Sequence, residues 1–124
     1  DANAHGLARL REEVPGLDMD AITDPKEAVR NADVVYTDTW TSMGQEAEKQ
    51  KRLAAFEGYC VDEDLLALAK PDAIVLHCLP AYRGCEISDG VMESPQSRVF
   101  AQAHNRLHAQ AGLLAELVEQ AHVD

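Results

Sequence analysis

The sequence predicts an α/β fold: a Rossmann-like parallel sheet with helices on both faces and a long C-terminal helix. Three observations carry that expectation. Two short apolar runs, DVVYT at 33–37 and AIVL at 73–76, alternate with helix-start signals at the spacing of βαβ units with right-handed crossovers. From about residue 99 to 121, apolar residues recur at helical spacing. Aromatic residues make up only 5 % of a chain that is 46 % hydrophobic, which leaves Leu, Val, Ile and Ala to build the core and suits helices laid on a sheet.

Taken in order, Leu7, Leu10 and Val14 stand three and four apart over 4–14 and predict one helical face, which Pro15-Gly16 ends. LDMDAI (17–22) places Leu17, Met19 and Ala21 in alternation with acids and predicts a half-buried strand. Asp24-Pro25-Lys26-Glu27 reads as a helix start, with Asp24 as cap, Pro25 in the first turn and Glu27 completing a capping box. DVVYT follows as a β-branched strand, and Ser42-Met43-Gly44-Gln45 opens a second helix expected to run to about Phe56. Asp62 caps a short helix, DEDLLALA, that Pro71 stops. AIVL, apolar throughout, predicts a strand covered on both faces. Residues 77–98 carry Pro80, Gly84, Gly90 and Pro95 and predict loops. The terminal helix then lines up Phe100, Ala103, Leu107, Ala111, Leu114, Val118 and Ala121.

At 124 residues the chain accommodates one compact domain, and 27 % charged residues with seven Gly and five Pro is a globular composition. Eleven basic against 22 acidic residues give a net charge of −11, which argues against nucleic acid and against an anionic membrane surface. No apolar run approaches the roughly 20 residues of a spanning helix, and the first twenty residues lack a signal-like apolar stretch, so a cytoplasmic protein is expected. Three cysteines, Cys60, Cys78 and Cys85, fit no disulfide framework and read as reduced thiols.

In open α/β sheets ligands bind beyond the carboxyl ends of the strands, and two informative loops begin there. After DVVYT comes Asp38-Thr39-Trp40-Thr41-Ser42-Met43-Gly44. Ser42 at a helix N-cap would leave the Met43 and Gly44 amides free for a carboxylate, and Asp38 adds a negative charge for an ammonium, a pairing that suits an amino-acid backbone. On the chemistry alone the same residues suit a structural role somewhat better, with Ser42 as a cap and Asp38 bonded to loop amides. After AIVL comes His77-Cys78-Leu79-Pro80-Ala81-Tyr82-Arg83-Gly84. Cys78 serves as a polarisable or proton-accepting group if its pKa is lowered, or else as a small buried hydrophobe. A zinc reading would join His77 and Cys78 or Cys85 to His104 and His108, although no Cys-x-x-Cys or His-Glu-x-x-His supports it. Arg106, on the terminal helix, is a surface residue on this reading alone.

TDTWTSMGQE (37–46), LHCLPAYRGCEISDGVM (76–92) and FAQAHNRLHAQAGLLAEL (100–117) resemble, in order and separation, motifs of the ornithine carbamoyltransferases. The resemblance covers nearly the whole chain and implies residues 1–124 to be part of the second, ornithine-binding α/β domain. The Ser-Thr-Arg-Thr phosphate loop and the His-Pro-x-Gln stretch of the first, carbamoyl-phosphate domain are absent from this sequence. It further implies L-ornithine and carbamoyl phosphate as substrates, no metal or organic cofactor, and a homotrimer with sites near the subunit contacts. By resemblance Asp38, Ser42 and the Met43 amide hold ornithine, Cys78 lies against its side-chain amine as proton acceptor, the Leu79 carbonyl orients the carbamoyl amide, and Arg106 meets the carbamoyl oxygen. Cys78 and Arg106 would thus be catalytic. The chain departs from the family at His104, where Glu is usual, at Tyr82, where His is common, and at Ala111-Gly112 in place of Lys-Ala. Two readings result: the ornithine-binding portion of a carbamoyltransferase, inactive by itself, or a non-catalytic ornithine-binding or regulatory module derived from one.

Overall fold

The computed structural model describes residues 2–41 and 48–121. The elements are α1 (Ala2–Glu13), α2 (Pro25–Ala28), β1 (Val34–Thr37), α3 (Lys49–Ala55), α4 (Glu63–Leu66), β2 (Ile74–His77), α5 (Asp89–Met92) and α6 (Val99–Ala121). This is the expected α/β arrangement with a parallel sheet and a long C-terminal helix. β1 and β2 pair in parallel, with Val34 opposite Ile74 and Thr37 opposite His77. On the other side of β2, the Val75 amide donates to the Gln96 carbonyl and the Arg98 amide to the Val75 carbonyl, so the chain touches the sheet once more before turning into α6.

Local sequence explains the short helices. Asp24 accepts from the Lys26 amide at 2.9 Å and Pro25 occupies the first turn of α2. Asp62 caps α4 through the Leu65 amide at 2.8 Å. Helix α5 arises inside the stretch read as loop: the Ser88 hydroxyl caps it by accepting from the Val91 amide at 3.1 Å, and its Val91 and Met92 are buried.

The core is one cluster of Val29, Val61, Leu65, Leu66, Val75, Ile87, Val91, Met92 and Val99. Burial of each such side chain contributes about 1.5–3 kcal/mol before entropy is counted. A parallel bridge between Val61 and Ile87, with the Val61 amide donating to the Glu86 carbonyl and the Ser88 amide to the Val61 carbonyl, fastens the loop after β2 to the start of α4.

Three further expectations change, and one lies outside the described residues. The strand at 17–22 does not form: Met19 and Ile22 are exposed, and among the described residues no partner strand lies beside them. An alternating pattern needs a neighbouring strand to satisfy its amides and carbonyls, and here the Met19 carbonyl accepts from Arg11 Nη2 at 2.9 Å instead. The second helix is described only from Lys49, its expected start at Ser42 lying outside the described residues. AIVL is one-sided rather than covered on both faces, since Val75 and His77 are buried while Ile74 and Leu76 are half-buried. Nor does α6 pack along its length; Val99 is buried and Gln102 half-buried, but Leu107, Leu113, Leu114, Leu117 and Val118 are all exposed.

Candidate functional site

Parallel pairing of Thr37 with His77 places the next residue of each strand, Asp38 and Cys78, side by side at the carboxyl edge of the sheet. The Cys78 thiol donates to Asp38 Oδ1 at 2.8 Å, and the Thr39 amide donates to the same oxygen at 2.6 Å. Both residues are exposed. The thiol donor, helped by the Thr39 amide and only partly opposed by burial, holds the Asp38 carboxyl below its ordinary range. The same bond, with burial and the carboxylate charge, pushes the Cys78 thiol above its ordinary value, so the lowered pKa that would make it a ready thiolate is not met in this arrangement.

Behind this exposed pair lies a buried network. His77 and Glu86 are both fully buried. His77 Nδ1 accepts from the Leu79 amide at 2.8 Å, which leaves the ring proton on Nε2, 3.2 Å from Glu86 Oε1. The same Glu86 oxygen accepts from the Tyr82 amide. Leu79 takes a left-handed φ of 56°, and the Leu79–Pro80 peptide is cis. The left-handed backbone costs a non-glycine residue on the order of 1–3 kcal/mol, and the bond from its amide to His77 together with packing of Leu79 on the core holds it. Gly84, at φ 81°, closes the turn by donating to the Ile87 carbonyl at 2.8 Å.

A cavity of about 290 Å³ opens beside the pair. Asp38, Thr39 and Trp40 line one side, Pro80, Tyr82 and Glu86 another, and Lys49 and Leu53 of α3 a third. Lys49 Nζ stands 5.7 Å from the Tyr82 ring centroid, and Trp40 stacks on Phe56 at 5.7 Å. Sequence reasoning missed Glu86, Lys49 and Trp40 as members of this site. A signal for Glu86 was available: the apolar spacing of Ile87, Val91 and Met92 marks that stretch as core, and a carboxylate inside it needs partners.

Of the predicted site residues, Asp38, Cys78 and Leu79 come together. Ser42 and Met43 lie outside the described residues. Arg106 is exposed and makes no hydrogen bond or ion pair among the described residues. It follows Gln102 by one helical turn, and Gln102 faces the sheet: its Oε1 accepts from the His77 amide at 3.1 Å and its Nε2 donates to the Tyr36 hydroxyl at 3.2 Å. Arg106 therefore continues the sheet-facing side of α6 past the strand ends.

The zinc set joining His77 to His104 and His108 is not assembled. Among the described residues, the one group of three donors is Asp38, His77 and Cys78. It suits a resident ion poorly, because both ring nitrogens of His77 are already engaged, one by the Leu79 amide and one by Glu86.

Residues 2–117 match the family model for the aspartate/ornithine carbamoyltransferase Asp/Orn-binding domain. The chain belongs to that family. It is 62 % identical over 96 residues to the ornithine carbamoyltransferase of Geobacter metallireducens, covering 77 % of this chain and 32 % of the relative. Among solved structures, the ornithine carbamoyltransferase from Pyrococcus furiosus superimposes with a TM-score of 0.68 at 55 % identity, over 74 % of this chain and 29 % of that one. The ornithine transcarbamoylase from Giardia lamblia gives 0.74 at 30 % identity, over 90 % and 34 % respectively. The chain thus spans about a third of the length of the curated relatives it matches. No helix among the described residues is long and apolar enough to cross a membrane.

Proposed function

We propose that this chain supplies the ornithine-binding part of an ornithine carbamoyltransferase. That enzyme moves the carbamoyl group of carbamoyl phosphate to the δ-amine of L-ornithine, giving L-citrulline and phosphate as a step of arginine biosynthesis. Residues 1–124 are read as part of the second domain. The carbamoyl-phosphate domain belongs to the rest of a whole protein that is cytoplasmic and homotrimeric. The observation that carries this reading is the Asp38–Cys78 pair, set by strand register at the mouth of a cavity.

Asp38, held ionised to below its ordinary pKa, presents Oδ2, which receives no hydrogen bond among the described residues, to an ammonium group. The δ-ammonium of ornithine must lose a proton before its nitrogen can attack the carbamoyl carbon. An ammonium arriving beside Asp38 favours the thiolate of Cys78 and so counteracts the upward push of the carboxylate; the thiol proton leaves to solvent, and the thiolate then takes one proton from the δ-ammonium to free the nitrogen lone pair. The attacking nitrogen bonds to carbon, the carbon–oxygen bond to phosphate breaks, and phosphate leaves with its electron pair. The Leu79 carbonyl, fixed through its amide by His77, orients the carbamoyl NH2. Arg106 meets the carbamoyl oxygen as charge gathers there. Ser42 and Met43 take the amino-acid head.

Two experiments test this. L-Ornithine titrated into the chain in a calorimeter binds measurably more tightly than L-norvaline, which lacks the δ-amine; equal binding, or none, overturns the substrate assignment. The chain grafted in place of the matching third of the Geobacter metallireducens relative yields an enzyme that makes citrulline, whereas a non-catalytic module leaves the graft inactive while still binding ornithine.

A further inference from the structure

On the face of α6 turned away from the sheet, His104 and His108 stand one turn apart, both exposed, with their Nε2 atoms 3.4 Å from each other and their rings edge to face at a centroid distance of 5.1 Å. Two imidazole nitrogens bound at 2.0–2.1 Å to one tetrahedral ion are separated by about 3.4 Å. The spacing seen here is therefore that of a chelate, and histidines four apart on one helix are an arrangement that grips divalent metal.

We propose that His104 and His108 form a surface chelate for a divalent transition-metal ion of the zinc, nickel and copper class, with water completing its coordination. Imidazole prefers these ions to magnesium or calcium, which require oxygen ligands. The site is separate from the Asp38–Cys78 pair. At 100° per residue, Arg106 lies about 180° round the helix from the line bisecting the two histidines. The ion binds without touching Arg106 or the sheet-facing Gln102. It clamps the turn of α6 that carries Arg106. The pair exists because a histidine occupies position 104, where the family resemblance expects glutamate.

Nickel chloride titrated into the 124-residue chain, followed by calorimetry, tests this directly. The unaltered chain and the Cys78→Ser variant should bind one ion with affinities within about twofold of each other. His104→Gln and His108→Gln should each bind at least tenfold more weakly, since loss of even an outer partner of a metal ligand costs 10- to 100-fold. The double change H108A/A109H keeps the number of histidines and turns the second ring about 100° away; it should weaken binding as much as His108→Gln. Far-ultraviolet circular dichroism checks that α6 remains helical in each variant. Absence of nickel binding by the unaltered chain, undiminished affinity in His108→Gln or H108A/A109H, or a loss that follows Cys78→Ser would each overturn the proposal.

Discussion

The loops that leave β1 and β2 meet at one cavity but are built in opposite ways. After β2, the chain is held by a fully buried histidine and glutamate that between them engage the Leu79 and Tyr82 amides. After β1, Asp38 is exposed and is held by one amide and one thiol. Buried polar groups are costly to leave unpaired, whereas exposed ones can exchange a protein partner for water or a ligand. On the proposed reading the difference divides tasks: the buried His77–Glu86 network is the scaffold that holds Cys78 and Leu79 in place, and Asp38 of the β1 loop offers a free carboxylate oxygen to a ligand.

The largest expected effect lies in the scaffold. Glu86→Ala removes the acceptor of both His77 Nε2 and the Tyr82 amide, and leaving each of these buried donors unpaired costs about 1–3 kcal/mol. Urea unfolding should show it, with Glu86→Gln, which keeps an acceptor oxygen, losing less than half as much. Equal loss in the two variants would mean that Glu86 matters for volume alone.

Next is Arg106, whose proposed task is in turnover and whose exposure predicts almost no effect on stability. In the grafted enzyme, Arg106→Lys should lower kcat by ~10²-fold, the usual scale for removing one directed donor to a developing oxyanion, and leave Tm within about 1 °C. A kcat within about threefold of the parent, ~0.7 kcal/mol, would make Arg106 a surface residue only.

A smaller effect concerns the thiol. Because Asp38 raises the Cys78 pKa, alkylation by iodoacetamide at neutral pH should be slower at Cys78 than in the unfolded chain, and Asp38→Asn should speed it several-fold. The smallest effect is on acid stability. Asp38 has a depressed folded pKa, so its contribution is fully present above the ordinary value of 3.8 and fades as pH falls through the lower folded value. Asp38→Asn should therefore flatten the stability curve only at and below about pH 4, and only slightly, since the carboxylate is exposed to solvent.

Much of this architecture was legible in the residues. Val99–Ala121 forms the long helix its spacing predicts, and Asp24 and Asp62 cap the helices they were expected to cap. The strand ends alone pointed to Asp38 and Cys78. What was not legible depended on partners distant in sequence. LDMDAI alternates like a strand but has nothing to pair with among the described residues. Glu86 reads as a solvated acid until the Val61–Ile87 bridge is known to bury it. The apolar face of α6 predicts burial, yet Leu107, Leu114 and Val118 are exposed, because a periodic pattern records that a face is covered and not by what. Ser88-Asp89-Gly90-Val91 was a readable cap signal inside a stretch whose glycines and prolines suggested only loop.

The division between scaffold and ligand-binding loop is tested most directly by L-ornithine titration and urea unfolding of one variant, Asp38→Asn, beside the control Asp72→Asn. Loss of one charge-assisted hydrogen bond should weaken ornithine binding by about 1.5–3 kcal/mol, roughly 10- to 150-fold, while stability stays within about 0.5 kcal/mol of the parent. Asp72→Asn should change neither. Undiminished ornithine binding in Asp38→Asn, or a loss of stability as large as that from Glu86→Ala, would contradict the account.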